Sequence, residues 1–141
     1  MFSKLGGMFK KPGDGDGEGP AFERVFESHH LKADRSGVLL CVSIRCESVT
    51  DREAGIVFAE SNALLDDACT GLIVDLGHVE VLTSAGIGTL VRLHKRMEER
   101  KGRLAVCALN EELAELFRLT RIDRLFVLTD DRNTALRELG A

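Results

Sequence analysis

From residue 38 onward the chain alternates between short, almost unbroken apolar runs and apolar positions at helical spacing. Residues 72–76 and 104–109 lack polar alternation, as strands covered on both faces do. Between them Ile87, Leu90, Val91, His94 and Met97 step by 3, 1, 3 and 3, which predicts a helix that Gly102 stops. Earlier, Ala54, Val57, Phe58, Ser61, Leu64, Leu65 and Ala68 keep the same spacing, with Thr50 or Asp51 placed to cap. Asn110 opens a short helix that buries Leu113, Leu116 and Phe117, and Glu111 and Glu112 suit its positive end. Residues 125–128 form the last strand, and Thr129 or Asp130 starts a closing helix through Ala135, Leu136 and Leu139.

The first part of the domain reads differently. Residues 38–46 alternate with a period of two, giving one face more apolar than the other. Residues 22–27 form a weaker strand near an edge, and Ala33-Asp34-Arg35-Ser36-Gly37 has the composition of a turn joining the two as a hairpin. Alternating strands and helices then call for an α/β fold: a mainly parallel β-sheet with right-handed crossovers, an N-terminal hairpin strand and about four flanking helices.

Residues 1–20 do not share these rhythms. Phe2, Leu5, Met8 and Phe9 lie among Lys4, Lys10 and Lys11, a short basic and apolar arm able to touch a membrane surface or a partner. Gly6 and Gly7 weaken any helix there. The next nine residues, Pro-Gly-Asp-Gly-Asp-Gly-Glu-Gly-Pro, are an acidic linker by composition. Asp14, Asp16 and Glu18 resemble the opening of a calcium loop, but the twelfth position is Val25, which cannot ligate. The arm and linker (1–20) are therefore expected to be flexible, with one domain over 21–141.

Composition narrows the function. The chain of 141 residues is 44% hydrophobic and 30% charged, enough for one packed core. A net charge of −4 gives no reason to expect nucleic-acid binding. No apolar run reaches the roughly 18 residues a membrane span needs, and no secretory signal is evident, so a cytoplasmic location is expected. Cys41, Cys46, Cys69 and Cys107 have no metal-ligand spacing and read as reduced, partly buried thiols; no metal and no cofactor is expected. Cys41 and Cys46, five apart, should face opposite sides of the sheet.

Chemistry concentrates in Leu82-Thr83-Ser84-Ala85-Gly86-Ile87-Gly88, between a covered strand and the long helix. Ser84 falls where an N-cap belongs, and the free N–H groups of a helix start favour added negative charge. A catalytic serine with Asp75 and His78 is the rival, but the nucleophile elbow needs glycine where Leu82 stands. Gly86 and Gly88 begin a dinucleotide fingerprint whose third glycine would fall on Val91, so packing of the helix on the sheet explains them better. His94 lies on the apolar stripe as a core-edge residue, His29 and His30 carry no ligand spacing, and Arg92, Lys95, Arg96, Arg100 and Lys101 form a solvated face.

The strand ending in Asp75-Leu76, the turn and the following helix resemble the STAS domain of anti-sigma factor antagonists. That family runs from Asp-Leu through a short loop into Asp-Ser-Ser-Gly-Leu-Gly or Ser-Ser-Ala-Gly-Leu. The resemblance covers about residues 21–139, including the helix and exit at 110–122. It implies a non-enzymatic protein-binding switch. The unphosphorylated form would bind a serine-kinase anti-sigma factor and free the sigma factor. The kinase would phosphorylate Ser84, and a PP2C-type, metal-dependent phosphatase would reset it. By the same resemblance the partner-binding residues are Glu47, Thr83, Ser84, Ala85, Gly86 and Ile87. Thr83 replaces a frequent aspartate, and Val49 stands where an aspartate follows the glutamate by two residues. The rival within the family is a constitutive scaffold or accessory subunit of a transporter or signalling complex.

Overall fold

The computed structural model describes residues 22–140. The arm and the linker expected over residues 1–20 lie outside the described residues. A six-stranded sheet runs in the order β1 (Glu23–Glu27), β2 (Leu31–Ser36), β3 (Leu39–Ile44), β5 (Gly71–Asp75), β7 (Arg103–Cys107) and β8 (Val127–Thr129). The first three strands pair antiparallel and the last four pair parallel. Two short strands, β4 (Ser48–Val49) and β6 (Val81–Leu82), pair parallel beside it. Four helices complete the fold: α1 (Asp51–Leu64), α2 (Ser84–Glu99), α3 (Glu111–Leu119) and α4 (Arg132–Gly140). No described helix is long and apolar enough to cross a membrane.

Alternation along the strands divides the core in two. Leu40, Val42, Leu72, Val74, Leu104 and Val106 point to the face covered by α1, α2 and α3. Leu39, Cys41, Ile73, Ala105 and Cys107 point to the face covered by Ala135 and Leu136 of α4. Cys41 and Cys46 accordingly contact opposite core clusters. All four cysteines are free; burial pushes the Cys41 thiol up to about 12 and raises Cys107 as well.

The amino-terminal third departs from the expected pattern. Residues 33–36 are strand, not turn, and the chain reverses instead at residues 28–30 and again at Gly37, whose φ of 60° suits glycine. Asp34 and Ser36 are buried in β2, facing the α4 side. The Asp34 carboxylate accepts from Arg24 Nε at 2.6 Å and Arg132 Nη1 at 3.1 Å. Two arginines from distant segments thus replace the water that a turn aspartate would have kept. Strand β3 is buried on both faces rather than one, because α4 covers the side expected to be more polar.

Helix boundaries shift for local reasons. Helix α1 ends at Leu64, so Ala68 lies exposed beyond it. The buried side of α2 runs through Gly86, Thr89, Leu90, Leu93 and Met97, rotated from the expected stripe toward α1. There the Thr89 hydroxyl donates to the Ala54 carbonyl at 3.0 Å. Helix α4 is capped by Asp131, which accepts from Thr134 N–H at 2.7 Å, not by Thr129 or Asp130. Asn110 caps α3 as the sequence indicates, accepting from Leu113 N–H at 2.8 Å.

Candidate functional site

Three crossovers begin at the carboxyl ends of the parallel strands, where open α/β sheets place their functional loops. One leads from β3 through β4 into α1, one from β5 through β6 into α2, and one from β7 into α3. The β4–β6 pair binds the first two together: Glu47 carbonyl accepts Glu80 and Val81 N–H at 2.8 and 3.0 Å. Asn110 Nδ2 joins the third crossover by donating to the Val79 carbonyl at 3.4 Å. Within the middle loop Asp75 Oδ1 accepts from Gly77 N–H at 2.8 Å, so this carboxylate shapes its own turn.

Ser84 is exposed on this platform, but it is the first residue of α2 and not its cap. Thr83 is the cap: its carbonyl accepts the first helical bond, from Ile87 N–H at 3.0 Å. The expected capping hydroxyl is absent as well. Thr83 Oγ1 donates to the Val49 carbonyl at 2.8 Å, and Thr83 N–H reaches the same oxygen at 3.2 Å. Both donors of Thr83 therefore fasten α2 to β4. Among the described residues, no acceptor meets the N–H groups of Ser84, Ala85 or Gly86, and the first turn holds no acidic residue.

The other residues expected here fall into distinct environments. Glu47 is exposed, Thr83, Ala85 and Ile87 are half-buried, and Gly86 is buried. A Cβ on Gly86 would come within 2.5 Å of Leu82 Cδ1 and 3.2 Å of Val49 Cγ1, so this glycine lets the helix start lie on the β4–β6 pair. Gly88 has no such role, since a Cβ there would meet no atom within 4 Å. Packing on the main sheet explains neither glycine. Val49, which departs from the family pattern in sequence, is 1% exposed and supplies the carbonyl that holds Thr83.

The rival chemistry gains nothing from the geometry. Among the described residues, no hydrogen bond links Asp75, His78 and Ser84, and His78 is exposed. His94 packs edge-on against Phe126 with centroids 5.7 Å apart and lies 3.4 Å from Glu98, at the core edge as expected. The basic residues along α2 and at its carboxyl cap are less uniformly solvated than their sequence indicates. Arg92 lies over the Phe58 ring at 3.7 Å, and Arg100 donates to the Asp66 carbonyl. A cavity of about 370 Å³ opens at the far ends of α1 and α2, lined by Asn62, Leu65, Asp67, Arg96, Glu99 and Arg100. It lies at the opposite end of α2 from Ser84.

The β4–β6 pair and Val81 escaped sequence reasoning. Two-residue strands carry no detectable period, and the only available signal was the apolar pair Val81-Leu82 just ahead of the helix.

Comparisons with known proteins agree with this architecture. The STAS domain profile matches residues 23–135. A protein of Bordetella bronchiseptica named as an anti-sigma factor antagonist, BtrV, is 26% identical over 77 residues. The match spans 55% of this chain and 66% of that relative, just under two thirds of its length. A solved anti-sigma factor antagonist of Thermotoga maritima superposes with a TM-score of 0.73 at 19% identity, over 81% of this chain and all of that one. The Bacillus protein SpoIIAA, solved in a phosphorylated form, superposes at 0.56 with 14% identity, over 84% and 99%. With a STAS domain profile over residues 23–135 and a sheet shared with solved members, this chain belongs to the STAS domain family.

Proposed function

We propose that this protein is an anti-sigma factor antagonist controlled by phosphorylation of Ser84. The unphosphorylated chain binds a serine-kinase anti-sigma factor and so frees the sigma factor. The kinase then modifies Ser84, and a PP2C-type phosphatase restores the binding form. The chain itself performs no catalysis. The reading is supported by relatives named as antagonists and by a neighbour described in a phosphorylated form.

One observation carries it: an exposed Ser84 hydroxyl stands at the head of α2, beside three N–H groups with no acceptor among the described residues. A phosphoserine adds about −1.5 to −2 charges at neutral pH. The positive end of α2 lowers the cost of that charge within the free domain. In a docked complex the same charge meets a partner surface, where repulsion and lost hydration oppose binding. Glu47, Ala85 and Ile87 frame the contact, while Thr83 and Gly86 act by setting the position of the helix start.

Phosphopeptide mapping with the kinase recovered on the unphosphorylated chain tests the assignment. Phosphate is expected on Ser84 and not on Thr83, whose hydroxyl is committed to Val49. Phosphate on Thr83, or none on either residue, overturns the switch. Recovery of a transport ATPase instead of a kinase and sigma factor would favour the constitutive scaffold.

A further inference from the structure

The six-stranded sheet has two edges, and one of them is suited to meet its own copy. At the first edge, β1 carries an irregularity between Arg24 and Phe26, and glutamates stand at both its ends, Glu23 and Glu27. An antiparallel self-pairing there would set like charges opposite each other across a broken ladder. At the other edge, β8 is three residues long and pairs with β7 alone. Among the described residues, no other backbone hydrogen bond reaches residues 127–129, so the outer side of β8 keeps free N–H and C=O groups. Large apolar side chains border it: Leu125 is 41% exposed and Leu128 38%.

The charges on this edge are sorted end to end. Arg121 and Arg124 stand at the entry to β8, and Asp130 stands at its exit. All three are exposed, and none makes an ion pair among the described residues. The neighbouring charges are engaged or half-covered. Arg118 pairs with Glu115, Asp131 accepts from Thr134 N–H as the cap of α4, and Asp123 is half-buried. An edge that is basic at one end and acidic at the other is complementary to itself when inverted.

We propose that β8 is the docking edge for a second copy of this chain, paired antiparallel across a two-fold axis so that the two sheets become one. Centred on Val127, this pairing sets Arg124 opposite Asp130 of the second copy, and the symmetry makes that contact twice. Leu125 then lies across from Thr129 of the second copy, and Leu128 across from Phe126 of the second copy. Parallel pairing would set arginine beside arginine, so charge selects the antiparallel form. Three strand residues and two leucines fall short of the roughly 800 Å² per partner of a standard interface. The dimer is therefore reversible, with a dissociation constant on the order of 10–100 μM.

Symmetry gives the docking a consequence. The axis inverts the strands, so the two copies point the carboxyl ends of their parallel strands in opposite directions. Each Ser84 turn lies at such an end. The dimer holds its two Ser84 platforms at opposite poles, both open to solution. The inference does not depend on what binds there.

Sedimentation equilibrium of the full chain, across concentrations that bracket this dissociation constant, tests it. A reversible monomer–dimer equilibrium is expected, weakened by high salt. Arg124→Asp and Asp130→Arg each put like charges face to face at both ends of the seam, and each is expected to weaken the dimer about tenfold or more. The double variant restores both pairs with their signs reversed and should recover the native affinity. An equimolar mixture of the two single variants should recover it too, as a heterodimer. A merely damaging substitution gives neither rescue. Both side chains are exposed, so the thermal midpoint of the dilute chain should hold. If a single variant fails to fold, Leu128→Glu takes its place and should dissolve the dimer; a dimer that survives it overturns the proposal. So does a chain that stays monomeric throughout, which would leave the edge to a partner of another kind. A dimer indifferent to the charge reversals, or one recovered neither in the double variant nor in the mixture, overturns it as well.

Discussion

Helices α1 and α2 begin in parallel circumstances and finish their first turns in opposite ways. Each follows one strand of the β4–β6 pair, each has a threonine at its cap, and the two pack along one another. At α1, Thr50 and Glu53 form a capping box: Thr50 N–H donates to the Glu53 carboxylate at 3.2 Å, and the Thr50 hydroxyl meets the same oxygen. Asp51 adds a second negative charge in that turn. At α2, the Thr83 hydroxyl turns back to β4, and nothing acidic follows. One start is closed by its own residues, while the other is fastened in place with its amides left open. That difference separates a helix end used for stability from one suited to receive an anion.

The most forceful way to break the comparison is to supply the missing charge at α2. Ser84→Asp is expected to weaken binding of the proposed kinase partner on the order of 10- to 100-fold in calorimetric titration, through like-charge contact and desolvation. The same substitution should raise the stability of the free domain by about 0.3–1 kcal/mol, because it places a carboxylate at an uncompensated helix start. Weaker binding with a lower thermal midpoint would mean that the substitution merely damages the fold.

Opening the closed end should have a smaller, purely structural effect. Thr50→Ala removes the capping box and is expected to cost about 1 kcal/mol, read as a fall of a few degrees in thermal midpoint with binding of the proposed partner retained. The box also has a pH signature. The hydrogen bond from the Thr50 hydroxyl, with further backbone bonds, holds the Glu53 carboxyl below its ordinary value. A depressed carboxylate stabilises the fold above its unfolded pKa and loses that contribution as pH falls through the folded value. The gap between the native chain and Thr50→Ala should therefore be full at neutral pH and narrow through the acidic carboxylate range. A gap independent of pH would show that Glu53 has no part in the cap.

Glycine gives a finer test within α2. Gly88→Ala has free space for its methyl group and should stabilise the helix by up to about 1 kcal/mol. Gly86→Ala must displace the buried Leu82 side chain and should destabilise instead. Paired thermal melts decide it, and equal effects would contradict the close approach to β4–β6. Smallest of all, Ser84→Ala should change stability by less than about 0.5 kcal/mol, since Ser84 is exposed and is not the cap. A loss near 1 kcal/mol in denaturant titration would return the capping role to Ser84.

Apart from the short β4–β6 pair, the order of elements from β3 to α4 was legible in the sequence because it rests on local patterns. Covered parallel strands read as apolar runs, helices repeat their apolar side every three or four residues, and Asn110 signals a helix start by itself. The passage from loop to helix at residues 82–88 was legible for the same reason, although the cap fell on Thr83 and not on Ser84. Tertiary structure decided what depended on partners distant in sequence. Asp34 looks like a turn residue until Arg24 and Arg132 bring their charges to β2. The rotation of α2 depends on Ala54 meeting Thr89, and the β4–β6 pair is too short to announce itself. Thr50 and Thr83 show the limit most directly. Both occupy the cap of a helix, yet the acceptor each hydroxyl takes follows from what the fold places beside it: Glu53 within the same turn, or a Val49 carbonyl 34 residues away.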